Sequence, residues 1–128
     1  MILFNNRVKK STIPNAGDGL FTTIFIEKGT PLWKKDMNDI IILMEEFETY
    51  RSLGLHEHIE KYATTDNEGN WYYDNDNFRF CNHSDEPNVI FQEYTALALR
   101  DIQPNEEIFV DYYSITTEQH ANKLLGIK

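Results

Sequence analysis

Three short stretches of the chain concentrate side chains that could take part in chemistry. Asn82-His83-Ser84 sets an amide, an imidazole and a hydroxyl in a row. Glu107 and Asp111 are carboxylates, and Tyr112 follows the second directly. Gly17 and Gly19 flank Asp18, and without a Cβ they let the backbone turn sharply or approach a bound molecule closely. Each stretch also has a plain structural use. The glycines can serve a turn with positive φ, Asn82 and His83 can form a polar turn capped by Ser84, and a tyrosine before a loop is commonly core. Cys81, the single cysteine, is read as a small buried thiol rather than a nucleophile, because no base is implied beside it. It leaves no intramolecular disulfide and no Cys-based zinc cluster within the chain. His56 and His58 lack partner ligands and are expected to be solvated, so no metal is assigned.

The elements that must position these residues are short. Arg7 to Lys10 reads as a strand and Ser11 to Gly19 as a turn rich in Pro, Asn and Gly. Leu20 to Ile26, dense in Phe, Thr and Ile, reads as a second strand. After a turn at Glu27-Lys28-Gly29, Thr30 to Lys35 is a third. Leu43, Met44, Phe47, Tyr50 and Arg51 recur at three- and four-residue spacing, which predicts an amphipathic helix from Leu43 to Leu53 stopped by Gly54. A helical turn is expected over His56 to Ala63 and a turn over Asp66 to Asn70, with strand character from Trp71. Val89 to Phe91 and Tyr94 to Leu99 form a candidate hairpin, Glu107 to Val110 another strand, and Thr116 to Leu125 a helix stopped by Gly126. Many short strands with one or two inserted helices indicate a mainly β, α+β fold.

The 128 residues suit a single domain over 1–128, and 41% hydrophobic content with 8 Phe, 7 Tyr and 2 Trp is enough for a packed core. A net charge of −9 disfavours direct contact with nucleic acid or anionic membrane and favours a basic partner. The apolar run Ile40 to Met44 is too short to span a bilayer, and Met1 to Phe4 is far short of a signal peptide. The chain is therefore expected to be an intracellular soluble protein of the cytoplasm or nucleus, with a secreted effector as the other setting.

Three segments, in order, resemble the SET-domain family of protein-lysine methyltransferases. They are Gly17-Asp18-Gly19-Leu20-Phe21 with Ile26 to Thr30, then Arg79-Phe80-Cys81-Asn82-His83-Ser84-Asp85-Glu86-Pro87-Asn88, then Ala98 through Asp111-Tyr112. The resemblance implies small curved β-sheets around a knot-like core, in which the strand bearing Asn-His-Ser lies beside the one ending in Asp-Tyr. The core would run over about 7–113, with a helical tail over about 116–125. It implies S-adenosylmethionine (AdoMet) as cofactor and methyl transfer to a lysine amine of a basic protein, plausibly a histone-like tail.

For the site, the resemblance makes Tyr112 catalytic and places Gly17, Asp18, Gly19, Tyr62, Arg79, Phe80, Asn82, His83 and Tyr112 around AdoMet. Tyr72, Phe91, Val110, Tyr112 and Tyr113 would line the substrate channel, with Trp71, Tyr73 and Phe78 as further aromatic wall material. Glu107 and Asp111 are read as scaffold. Valine at 110, where the family often has a larger aromatic, implies room for more than one methyl group unless Phe91 fills the same space. The chain departs from the family pattern at Asp85, Asn105 and Lys34-Lys35, and the last puts one channel wall in question. It lacks cysteine-rich flanks, as do the minimal SET proteins of large viruses and bacteria, and zinc-independent activity is expected. A homodimer or the C-terminal helix would close the site. A catalytically silent SET module that binds a basic partner is the alternative.

Overall fold

The computed structural model describes residues 1–37 and 39–127. In chain order the strands are β1 (Asn6–Lys10), β2 (Asp18–Thr22), β3 (Pro31–Lys34), β4 (Ile40–Ile42), β5 (Ala63–Thr65), β6 (Trp71–Tyr73), β7 (Asn82–His83), β8 (Val89–Gln92), β9 (Thr95–Ala98) and β10 (Phe109–Val110). The helices are α1 (Met44–Ser52), α2 (His56–Tyr62) and α3 (Glu118–Leu124), and single 3₁₀ turns occupy Asn77–Phe80 and Tyr112–Ser114. They gather into two compact units. The first joins Met1–Met37 to Asp76–Asp111, and the second joins Asn38–Asn75 to Tyr112–Lys128.

The first unit holds three small sheets. β1 and β2 form an antiparallel hairpin, β3–β9–β8 an antiparallel sheet, and β7 pairs with β10 in parallel. Alternation does not govern β2, in which Gly19, Leu20, Phe21 and Thr22 are all buried, as expected of a strand covered on both faces. The strand ends at Thr22 rather than Ile26. The Thr22 hydroxyl donates to the Ile24 carbonyl and accepts from the Ile24 amide, bending the chain away. Ile26 rejoins the unit through an isolated bridge to Ile102. The expected hairpin forms with Glu93 at its tip in the left-handed region (φ 55).

The second unit packs two helices and a sheet of order β4–β6–β5 around Ile42, Phe47, Ile59, Ala63 and Trp71. Phe47 and Trp71 stack at 4.8 Å between centroids. α1 forms where its apolar spacing predicts, with Glu45 and Glu46 in the first turn and Arg51 in the last, an order that suits the helix dipole. Of the predicted stripe only Phe47 is buried. Leu43 sits extended at the N-cap, off the helical face, and Leu43 and Met44 are about half exposed. Gly54 stops the helix with φ +75.

α3 is tied down by its own polar groups. Thr117 caps it by accepting from the His120 amide. The buried His120 ring donates from Nε2 to the Glu60 carbonyl at 2.7 Å, which leaves Nδ1 to accept from Thr116 Oγ1 at 2.9 Å. The ring also meets Trp71 edge-on. Burial pushes this imidazole below its usual pKa of 6.5, against the opposing pull of the Glu60 carbonyl and carboxylate. The folded state thus binds the proton less readily than the unfolded chain. His120 contributes its full stability above pH 6.5 and loses it progressively as pH falls below that value. Thermal melts from about pH 8 to about pH 5 should show a steeper acid loss of Tm in wild type than in His120→Gln, whose amide keeps the donor to Glu60. Parallel curves would refute the assignment.

Among the described residues no helix is long and apolar enough to cross a membrane.

Candidate functional site

The pairing of β7 with β10 is the structural centre of the first unit. Asn82 lies opposite Phe109 and His83 opposite Val110, so the two motif segments predicted to lie side by side do so in parallel register. Ser84 extends the ladder by donating to the Val110 carbonyl. Asn88 locks the arrangement from inside. It is fully buried, donates from Nδ2 to the Glu107 carbonyl at 2.8 Å, and accepts from the Phe109 amide at 2.8 Å.

Glu107 lies just before β10 and is 3% exposed. Its carboxylate gathers four donors. Thr12 supplies its backbone amide at 2.8 Å and its hydroxyl at 2.6 Å to Oε1, while Ser11 Oγ at 2.7 Å and Asn82 Nδ2 at 3.2 Å approach Oε2. The Asn82 Nδ2 donates again to the Asp18 carbonyl at 2.9 Å. Gly19 is glycine because of this cluster, since a Cβ there would stand 2.5 Å from Glu107 Oε2 and 2.9 Å from its Cδ. Gly17 is different: it has φ +75 and nothing within 4 Å of where a Cβ would be. Glu107 is thus hydrogen-bonded inside the first unit, and the missing Cβ of Gly19 makes room for its carboxylate.

His83 is held between carboxylates, with Nε2 at 3.0 Å from Asp85 and Nδ1 at 3.8 Å from Asp111. Arg79 and Phe80 belong to the 3₁₀ turn capped by Asp76. The Arg79 guanidinium lies 4.6 Å from the Phe80 ring centroid and donates to the Asp76 carbonyl. Phe91 packs edge-on against Trp33 and Phe78, while Phe78 is core. Val110 is 1% exposed. Lys34 and Lys35 are both exposed, and the Lys35 ammonium stands 4.8 Å over the Tyr94 ring.

The remaining predicted site residues belong to the second unit. Tyr72 in β6 donates to Asp66 Oδ2 at 2.9 Å. Burial would raise the Asp66 carboxyl pKa, but hydrogen bonds from the Tyr72 hydroxyl, the Asn70 and Glu68 amides and the Asn70 side chain leave it lowered. Tyr62 closes α2 and packs near His58. Tyr112 opens its 3₁₀ turn half-buried, and Tyr113 is exposed, with its hydroxyl donating to Asn122. Trp71, offered as channel wall, is core instead. His56 and His58 are not simply solvated: His56 Nδ1 is shielded from solvent, and His58 Nε2 lies 2.9 Å from the Tyr73 hydroxyl. Sequence reasoning missed Ser11, Thr12 and Asn88. Asn88 lies inside a segment already singled out, but nothing in its type or position there marks it as the lock between the two strands.

The first-unit cluster has the chemistry of a cofactor cradle. Two acceptors on the nitrogen side of Asn82 dictate how its amide is oriented, so Oδ1 is the atom turned elsewhere. Among the described residues nothing donates to that oxygen. It is available to an ammonium such as the one AdoMet carries. The open space at Gly17 leaves room for a ligand beside the same loop.

The model of the SET domain family matches residues 17–113. No curated protein matches the chain in sequence. Among solved structures, the Chaetomium thermophilum polycomb repressive complex 2 in an autoinhibited conformation bound to S-adenosylmethionine aligns at TM-score 0.70 and 23% identity. That alignment covers 96% of this chain and 17% of the other. A polycomb repressive complex 2 in an active basal state aligns at TM-score 0.64 and 25% identity, over 89% of this chain and 16% of that one. A Plasmodium falciparum protein assigned as a histone methyltransferase aligns at TM-score 0.62 and 21% identity, over 87% of this chain and 95% of its own. The chain thus spans less than a fifth of the polycomb chains it resembles. These folds agree with the strand pairing and with the family match: the chain belongs to the SET domain family.

Proposed function

We propose that the chain is an AdoMet-dependent protein-lysine methyltransferase acting on a basic protein. The observation that carries this reading is the Asn82 amide, whose nitrogen is pinned by Asp18 and Glu107 so that its oxygen is turned away from both, within a SET domain. AdoMet, when bound, supplies an electrophilic methyl group on a sulfonium. Asn82 Oδ1 would accept from the ammonium of its amino-acid end, and the backbones of Gly17, Asp18 and His83 would border the rest. Arg79, Phe80 and Tyr62 are proposed at its periphery.

The lysine must arrive neutral. Holding an amine of pKa about 10.4 unprotonated at neutral pH costs about 4.6 kcal/mol. Aromatic surroundings oppose the ammonium by desolvation, and a nearby cation opposes it further. Tyr72, Phe91, Val110, Tyr112 and Tyr113 are the residues proposed to supply that environment, and aromatic faces also accept methylated ammonium products. Tyr112 is the proposed catalytic residue, aligning the attacking nitrogen for in-line displacement. A net charge of −9 favours a Lys/Arg-rich substrate, and histone-like tails are the first class to test, given that the structural neighbours include a protein assigned as a histone methyltransferase and a polycomb complex with H3K27me3.

The deciding measurement is incubation with methyl-labelled AdoMet and a panel of basic proteins including histones, followed by mass-spectrometric mapping. Methylated lysines are expected. AdoMet binding by calorimetry without transfer to any member of the panel would replace this reading by a silent module that binds basic proteins.

A further inference from the structure

We propose that Glu107, backed by Ser11 and Thr12, is a positioning group for the cofactor site: it determines which end of the Asn82 amide faces the ligand. The proposal rests on the reading above, in which Asn82 contacts AdoMet. An asparagine amide can rotate by half a turn at little steric cost, because its oxygen and nitrogen are nearly the same size. A rotated Asn82 would present NH₂ to the ligand's ammonium, donor against donor. The Asp18 carbonyl alone biases the amide toward the productive orientation. Glu107 Oε2 at 3.2 Å doubles that bias with an acceptor that cannot become a donor while it remains a carboxylate.

Glu107 can do this only because it is itself immobilised. Thr12 N and Oγ1 occupy Oε1, and Ser11 Oγ, which also accepts from the Ile13 amide, shares Oε2 with Asn82. Ser11 and Thr12 lie on the loop between β1 and β2, far from the Asn-His-Ser segment in sequence. Ser11 and Thr12 therefore reach the ligand through two intermediates, a carboxylate and an amide. Glutamine at 107 would break the relay in either orientation. Its NH₂ would face Asn82 Nδ2 on one side, where the Asn82 amide turns over so that its oxygen accepts, or the Thr12 backbone amide on the other, which can only donate.

The test is calorimetric titration of the full chain with AdoMet, using wild type, Glu107→Gln, Thr12→Val, Asn82→Ala and the Glu107→Gln/Asn82→Ala pair. It is combined with NMR of the Asn82 side-chain amide in ligand-free protein. Glu107→Gln is expected to weaken AdoMet roughly tenfold and Thr12→Val roughly threefold, each with a shifted Asn82 amide resonance. Asn82→Ala should cost little more once Glu107 is Gln, because the amide is already misoriented. Additive losses, or a lower Tm with unchanged AdoMet affinity, would mean that Glu107 only stabilises the fold. Should Glu107→Gln fail to fold, Thr12→Val decides alone: wild-type affinity with an unmoved Asn82 resonance overturns the proposal. A wild-type chain that binds no AdoMet overturns the functional reading and this role with it. Binding by wild type with unaffected variants overturns only the positioning role.

Discussion

Replacing Tyr112 by phenylalanine is expected to lower the methyl-transfer rate roughly 10²- to 10³-fold, with AdoMet affinity changed by no more than about threefold. The change removes one oxygen and keeps the ring. The backbone around it is secured independently, because the Tyr112 carbonyl accepts from the Ile115 and Thr116 amides at 3.1 Å, bonds that phenylalanine leaves intact. What is lost is the hydroxyl proposed to act beside the groups that exchange the methyl, and a donor or acceptor placed there acts on the transition state more than on the bound ground state. Steady-state kinetics with calorimetry separates the two. Undiminished turnover, or a loss wholly accounted for by weaker AdoMet binding, would remove Tyr112 from the catalytic role.

Alanine at Gly19 should damage the first unit as much as any single methyl group can. The new Cβ would lie 2.5 Å from Glu107 Oε2 and 3.3 Å from Asn82 Nδ2, and Glu107 has no freedom to retreat because four donors hold it. Overpacking of this kind costs about 1–3 kcal/mol. The hydrogen bonds it breaks, made to a charged group, add about 1.5–3 kcal/mol more. Urea unfolding should show a large fall in midpoint together with loss of AdoMet binding. Gly17→Ala is the control: it strains a φ of +75 but meets open space, so about 1 kcal/mol is expected. Equal stability of Gly19→Ala and wild type would contradict the packing.

The motif residues were legible from sequence because they combine rare types at fixed order, and the family's threading followed from them. The longer strands and helices were legible for a different reason: Leu20-Phe21 and Phe47 carry enough apolar character to declare a buried side. β4, β5 and β7, at two or three residues each, are too short for a period to show, and only their partners make them strands. The 3₁₀ turn Asn77–Phe80 was hidden for a similar reason, since a side-chain cap from Asp76 rather than periodicity creates it. Ser11 and Thr12 were invisible because hydroxyls are common in turns; their meaning depends on a carboxylate 95 residues away from Thr12. Gly19 was noticed, but which neighbour demanded it depends on where the Glu107 side chain lies.

The first unit is assembled from two stretches of chain with residues 38–75 between them, which has a consequence for how the protein folds and diverges. β1–β2 and β8–β9 are hairpins that can close locally, within microseconds. β3 with β9 and β7 with β10 must wait for distant partners, so these pairings should limit the folding rate. The entropy of closing a loop grows only with the logarithm of its length, and doubling the intervening stretch adds only about 0.6 kcal/mol. Length changes between 38 and 75 are therefore cheap. The parallel pair, only two residues a side, has no slack: a single deletion in β7 or β10 would shift its register and turn the opposite face of that strand inward. Divergence in this chain is free to explore the interposed segment while the short pair stays locked in step.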